Sequence, residues 1–224
     1  MSTDSAVSPA GNGIASPSAA VSELHQRDRM LIGMADTISK HGYRGATITE
    51  VVRFARVSKR TFYEEFGDKE SCFLELYERT ARDLEQLIVS AAADESLEWR
   101  EQIRAGANAY FSALALRPML TKAFFIEIGT LSERATQARR SMMDHFCVLL
   151  GAIVEEARRR NPDVPSRPLP PMLAAAVVGG MTDVMIGALE RDQYVESVDD
   201  LVETATDLLA SVITGQFPPG TPPS

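Results

Sequence analysis

The chain has 224 residues, 45% of them hydrophobic, and a formal net charge of −8. That is enough apolar material for one medium domain or a small domain plus a larger one with a real core. No stretch approaches 18 uncharged apolar residues, so no transmembrane helix is expected. Residues 1–22 hold no Lys or Arg and no continuous apolar run, which leaves out both parts of a secretory signal and points to a cytoplasmic location. Two cysteines, Cys72 and Cys147, stand far apart in helical patterns and suit reduced, packed thiols better than a disulfide. An acidic chain is a poor general binder of nucleic acid, since that affinity comes largely from Lys and Arg on phosphates. The charge is uneven, however: residues 25–66 carry eight Lys or Arg against five Asp or Glu, while residues 67–224 carry fifteen against twenty-four. The acidic remainder would turn one basic face toward a polyanion.

In chain order, residues 1–24 are rich in Ser, Ala, Pro and Gly, and residues 1–22 in particular cannot offset the entropy of ordering, so a disordered tail is expected. From His25 a helical face emerges in Leu31, Met34, Ala35 and Ile38, with Gly42 placed to end it in a left-handed conformation. Thr47 and Glu50 then form a capping box, so a second helix starts near Ile48. Val51, Val52 and Ala55 share its apolar face, leaving Thr49, Arg53 and Arg56 on the flanks. Arg56-Val57-Ser58 makes a turn, and Ser58 is an N-cap for a third helix whose Phe62 and Phe66 lie four residues apart. Lys59, Arg60, Thr61 and Tyr63 face outward. This spacing also fits a plain αα corner of a core, but the exposed cations, hydroxyl and phenol have the make-up of a helix-turn-helix whose second helix reads DNA.

At these residues the chain resembles the TetR family of bacterial transcriptional regulators. Gly42-Tyr43, Thr47 to Val52, Val57-Ser58, Thr61-Phe62-Tyr63, Phe66 and Lys69-Glu70 match the family's DNA-binding segment. The resemblance covers about Arg29 to Leu76, and beyond it only the helical layout is similar. It implies DNA contacts from Tyr43, Thr47, Thr49, Ser58, Lys59, Arg60, Thr61, Tyr63 and Lys69. Of these, Thr61 and Tyr63 match positions that bond backbone or bases, and Lys69 matches a phosphate-binding lysine. Arg60 is the candidate base reader, because a guanidinium can bond both O6 and N7 of guanine. Two places depart from the family pattern. Arg56 stands where glycine is usual, and at φ > 0 it would cost about 1 kcal/mol or more. Glu64-Glu65 would repel phosphate, yet a glutamate can accept from cytosine N4.

Beyond the head, residues 68–93 have helical spacing and would link head to body, and residues 97–116 form a further helix. Pro118 restarts the chain into a short segment closed by Gly129. Ser132 begins a long helix with a stripe of Met142, Met143, Phe146, Leu149, Leu150 and Ile153, stopped by Asn161-Pro162. After a proline-rich loop over 161–171, Met172 to Leu189 is apolar all round apart from Asp183, more than one face of a surface helix needs. Leu201, Ala205, Leu208, Leu209, Val212 and Ile213 stripe the last helix. Two late helices with this much apolar surface suggest an intermolecular bundle, and the resemblance implies a homodimer through the last two helices.

The expected architecture is therefore all-α: a tail over 1–24, a three-helix DNA-binding head over 25–70, a larger helical ligand-binding and dimerisation body over 71–214, and a loose proline-rich tail over 215–224. The resemblance implies a small-molecule effector inside the body. Tyr110, Phe111, Met119, Phe124, Phe125, Met142, Met143, Phe146 and Met181 suit an apolar ligand, and Asn108, Glu127 and Asp183 are polar groups beside them. Only His25, His41 and His145 are available as imidazoles, with no zinc, thiol-redox, serine-hydrolase or phosphate-loop motif. No cofactor, metal or catalysis is expected. The reading is a ligand-responsive regulator, most simply a repressor on a palindromic operator. The alternative is an all-α small-molecule enzyme or carrier in which the helix-turn-helix is only scaffold.

Overall fold

The helix starts are built by the side chains that cap them. In a computed structural model that describes residues 25–216, Thr47, Ser58, Asp68 and Ser132 each accept from the backbone N–H three residues on. Among the described residues the chain forms nine α-helices and one short 3-10 turn, with no strand. The head is α1 (Gln26–Gly45), α2 (Ile48–Ala55) and α3 (Lys59–Phe66). The body is α4 (Lys69–Ala92), α5 (Trp99–Ala115), α6 (Pro118–Phe125), the 3-10 turn Glu127–Thr130, α7 (Glu133–Arg160), α8 (Pro171–Glu190) and α9 (Val198–Thr214). The expected tails fall almost wholly outside the described residues.

Gly42 ends the first helical run of α1 at positive φ, where the sequence placed the helix end, and a short second run follows it. Its φ of 67° turns the chain inside the helix, and Glu127 Oε1 lies 3.4 Å from where a Cβ would stand. Glycine fits this position on both counts. Arg56 adopts the left-handed conformation its place in the turn requires, φ 54° and ψ 46°, and its N–H caps α2 by donating to the carbonyls of Arg53 and Val52.

Head and body share a core. Met30, Met34, Ile38, Val51, Phe62, Phe66, Cys72, Phe73 and Tyr77 pack with Leu120, Ala123, Phe124, Ile128 and Ala135 in one buried cluster. The division expected at residue 70 crosses it. A second cluster joins α4, α5, α8 and α9 through Leu84, Phe111, Met185, Leu189, Tyr194 and Leu201. Tyr194 is buried there because its hydroxyl donates to Phe111 O at 3.1 Å. A third, around Val154, Leu169, Leu209 and Ile213, closes the far end beside Trp99.

Two sequence expectations need correction. The stripe of α9 packs within the chain: Leu201, Leu209 and Ile213 are buried, and Ala205, Leu208 and Val212 lie partly buried against the same clusters, while outer residues pair with α5 through Arg104–Glu203 and Arg100–Asp207. The unpartnered apolar surface lies instead on α8 and α7, where Met172 is 86%, Val148 73% and Val184 50% exposed. Moreover, α8 is long and apolar enough, by length and composition, to cross a membrane, with 33% of that window buried within the chain. One acidic residue, Asp183, was not enough to take it out of that class. Gly179 and Gly180 meet nothing that a Cβ would touch, so this face is open to close approach.

Candidate nucleic-acid interface and cavity

The second helix of the helix-turn-helix, α3, is held from behind. Phe62 is fully buried and Phe66 nearly so, their rings 5.4 Å apart. Arg27 of α1 fixes the C-terminal end: its guanidinium lies 4.4 Å from the centre of the Phe66 ring and donates to the Glu65 carbonyl and carboxylate at 2.9 Å and to Glu75 Oε1 at 2.8 Å. The Glu75 hydrogen bond, ahead of the contribution from Glu65, holds the Arg27 guanidinium above its ordinary pKa. Glu65 is thus an anchor for α3, a role that its sequence position did not reveal. Opposite this anchored side, Lys59, Arg60 and Tyr63 are exposed, and Arg44 and Arg53 extend the exposed cations onto α1 and α2.

The outward residues are partly engaged with one another. Arg60 Nε donates to Glu64 Oε1 at 2.8 Å, one helical turn on, in an exposed pair. An exposed pair of this kind contributes little, so the Arg60 guanidinium is held only weakly. The hydroxyls of Ser58 and Thr61 lie 2.8 Å apart, and Ser58 Oγ also accepts from Thr61 N–H. Thr47 accepts from Glu50 N–H at 3.3 Å and donates its hydroxyl to the Glu50 carboxylate at 2.8 Å. That hydrogen bond holds Glu50 below the usual carboxylate range, with His41 adding to it. Thr49 is exposed on the same helix.

Two other residues of the expected DNA set face inward. Tyr43 is 7% exposed and packs on Phe73 at 4.6 Å, and burial pushes its phenol up to about 12. The break at Gly42 folds the following residues back on the core, which removes Tyr43 from the surface position expected of it. Lys69 lies with its ammonium 4.2 Å from the centre of the Tyr43 ring and donates to the carbonyls of Tyr43 and Ala46 at 2.9 and 3.1 Å. Burial pulls its pKa down, partly offset by Glu127. In this state Lys69 ties down the α1–α2 loop.

The body contains a cavity of about 210 Å³ between α4, α5, α6, α7, α8 and α9. Eight residues of the expected pocket line it: Tyr110, Phe111, Phe124, Phe125, Met142, Met143, Phe146 and Met181. Four do not. Asn108 and Asp183 are exposed and are not among the lining residues. Met119 is 38% exposed near Gly42, and Glu127 accepts from Tyr43 N–H at 3.4 Å at the head–body junction. Trp99, Gln102, Ile103, Leu149 and Ile153 also line the cavity. Leu149 and Ile153 were visible in the α7 stripe, whereas Trp99 became a lining residue only when α5 packed on α7 and α9.

Head and cavity are joined by two helices that serve both. The α4 helix begins at the head and lines the cavity from Tyr77 to Ala92, and α7 lines it from Met142 to Ala157. Their N-termini are clamped together. Ser132 Oγ donates to Glu70 at 2.6 Å, and Arg134 donates to Glu70 at 3.2 Å, to Ser71 Oγ at 3.1 Å and to Asp68 at 3.3 Å.

Residues 35–76 match the model of the family described as bacterial regulatory proteins, tetR family. No curated protein matches the chain in sequence. Among solved structures, a TetR-family transcriptional regulator from Mesorhizobium loti superposes with a TM-score of 0.67 at 16% identity, covering 89% of this chain and 99% of its own. The fatty acid degradation regulator FadR of Bacillus halodurans gives 0.65 at 18% identity, covering 80% and 97%. FadR of Bacillus subtilis, solved in complex with stearoyl-CoA, gives 0.65 at 17%, covering 80% and 97%. These likenesses carry the all-helical fold, and the family match falls on the helix-turn-helix itself, so residues 35–76 form a head of the kind described as bacterial regulatory proteins, tetR family, on an all-helical body.

Proposed function

We propose that the protein is a ligand-responsive repressor that binds a palindromic operator as a homodimer and releases it when a small, largely apolar effector enters the body. The observation that carries this reading is the continuity of α4 and α7, each reaching from the head to the wall of the cavity. A ligand that widens the cavity displaces α7, and the Ser132–Arg134 clamp passes the displacement to the first turn of α4, directly after the reading helix. The differential affinity needed is about 1–3 kcal/mol.

In this reading Arg60 and Lys59 supply base and phosphate contacts, Tyr63, Thr49, Thr47, Ser58 and Thr61 supply hydroxyls, and Tyr43 and Lys69 act by positioning the loop. The dimer forms through the outer faces of α7 and α8, whose exposed Val148, Met172 and Val184 and small Gly179 and Gly180 permit close packing. Two heads would then meet half-sites about 34–36 Å apart. An apolar effector is supported by the lining and by the stearoyl-CoA found in the Bacillus subtilis neighbour. The enzyme alternative finds no carboxylate, imidazole or thiol among the lining residues, and the carrier alternative is separated from the regulator by the DNA-binding test.

The test is selection of bound sequences from a random duplex library by the wild type, by Arg60→Ala and by Val184→Glu. A palindrome that Arg60→Ala relaxes, and that Val184→Glu reduces to weak half-site binding as a monomer in sedimentation, supports the reading. No enrichment at low salt, where phosphate contacts are strongest, refutes it.

A further inference from the structure

The cavity wall is almost wholly apolar, and among its lining residues none carries a charge. A cation stands just outside that wall. Arg139 lies on α7 between buried Ala135 and the lining residues Met142 and Met143, four and three residues away, which places all of them along one side of the helix. Its Nε is buried and has no hydrogen-bond partner among the described residues, and it forms no ion pair there. The same Nε lies 3.8 Å from the Cβ position at Gly129, in the 3-10 turn that follows α6. Tyr77 is the nearby lining residue. Its hydroxyl has no partner among the described residues, burial pushes its pKa up to about 12, and the charge of Arg139 opposes that shift. It is therefore a neutral donor across the working pH range.

Arg139 is partly exposed and is not itself a lining residue, but its buried Nε–H has lost its water without a replacement, which is unfavourable. The arrangement becomes favourable when an anion with an apolar body fills the cavity, since guanidinium and carboxylate match in geometry and charge. We propose that the effector is a monocarboxylate whose apolar body occupies the cavity and whose carboxylate is held by Arg139, with Tyr77 donating a second hydrogen bond. One guanidinium matches one negative charge. The hollow of about 210 Å³ is below the roughly 300–1,000 Å³ common for ligand pockets, which selects a medium-length chain or a single ring. The proposal rests on the body cavity being the effector site.

The chain carries its own reporter. Trp99 is its one tryptophan and lines the cavity. Octanoate and decanoate and their methyl esters are titrated against the full chain, with Trp99 fluorescence as the signal. The acids are expected to bind about tenfold to a hundredfold more tightly than the esters. In Arg139→Gln the acids weaken to the level of the esters while ester binding stays as it was. Tyr77→Phe gives a smaller loss confined to the acids, and decides the matter by itself, with the wild-type acid-to-ester ratio, if Arg139→Gln does not fold. Equal binding of acids and esters, equal loss of both in Arg139→Gln, or no Trp99 response to either overturns the proposal. Duplexes from the library selection separate the two levels. If esters release them and acids do not, the carboxylate assignment falls and the repressor reading stands. If no duplex is bound, the repressor reading falls whatever Trp99 reports.

Discussion

The head and the body solve opposite problems. The head has little interior and spends it on fixing one surface: Phe62 and Phe66 bury the back of an eight-residue helix so that Lys59, Arg60 and Tyr63 stand out from it. The body has ample apolar material and leaves part of it unfilled, as a cavity between helices. A substitution behind the reading helix should therefore act on stability and DNA affinity together. One at the cavity should act on the response to ligand, with stability nearly unchanged.

The largest effect is expected where the head is tightest. Phe62→Ala removes a fully buried ring and should cost about 3–5 kcal/mol, seen as a lower thermal midpoint in circular dichroism and loss of DNA binding. Arg60→Ala separates surface from support. Its pair with Glu64 is exposed, so stability should change by no more than about 0.5 kcal/mol. DNA affinity measured by anisotropy should fall by about 1–3 kcal/mol, with relaxed preference at one base pair. If both stability and affinity fall together, head surface and head core are not separable as described.

Arg134→Ala addresses the link between the regions. Removing its donors to Glu70, Ser71 and Asp68 should leave DNA affinity within about twofold, while the effector-induced change loses up to about 1–3 kcal/mol of coupling. Parallel DNA titrations with and without ligand measure it. Asp68 tests the same junction by pH. The backbone N–H of Ser71 is the main reason its carboxylate lies below the ordinary value of 3.8. Its stabilising effect is thus present above that value and lost as pH falls through the lower folded value. Asp68→Asn keeps a cap of similar quality, at a change of roughly a few tenths of a kcal/mol. It should flatten the acid limb of stability against pH.

Gly106→Ala, in the cavity wall, is the smallest. Its Cβ would meet Ala92 Cβ at 3.4 Å and Ile88 Cγ2 at 3.7 Å, ordinary contacts. Stability should rise by about 0.4–1 kcal/mol, and ligand affinity should fall as the cavity narrows. A loss of stability would mean that this wall is already as tightly packed as the head.

How far the sequence could be read differs between the two regions for the same reason. The caps at Thr47, Ser58, Asp68 and Ser132 act over three residues, so each is written where it works. The turn at Arg56 was legible too, because φ > 0 follows from local helix geometry. In the body, helical phase separated Tyr110 from Asn108 and Met181 from Asp183, but aromatic and methionine content alone did not tell a lining residue from a neighbour on the opposite face. Arg139 had no local signal at all, since its lack of a partner is a property of α6, the 3-10 turn and α4 packed around it. The apolar stripe of α9 was read correctly as a stripe and assigned to the wrong neighbour.

By itself the sequence determined the helices, their starts, the helix-turn-helix and the concentration of positive charge on it. Propensity, capping and periodicity act within one or two turns and need no partner. Only the tertiary structure decided that Tyr43 and Lys69 turn inward, that Glu65 anchors Arg27, that α9 is satisfied within the chain while α8 is not, and which side chains enclose the cavity. Those outcomes depend on which helix faces which, and that is set by contacts between residues distant in the chain.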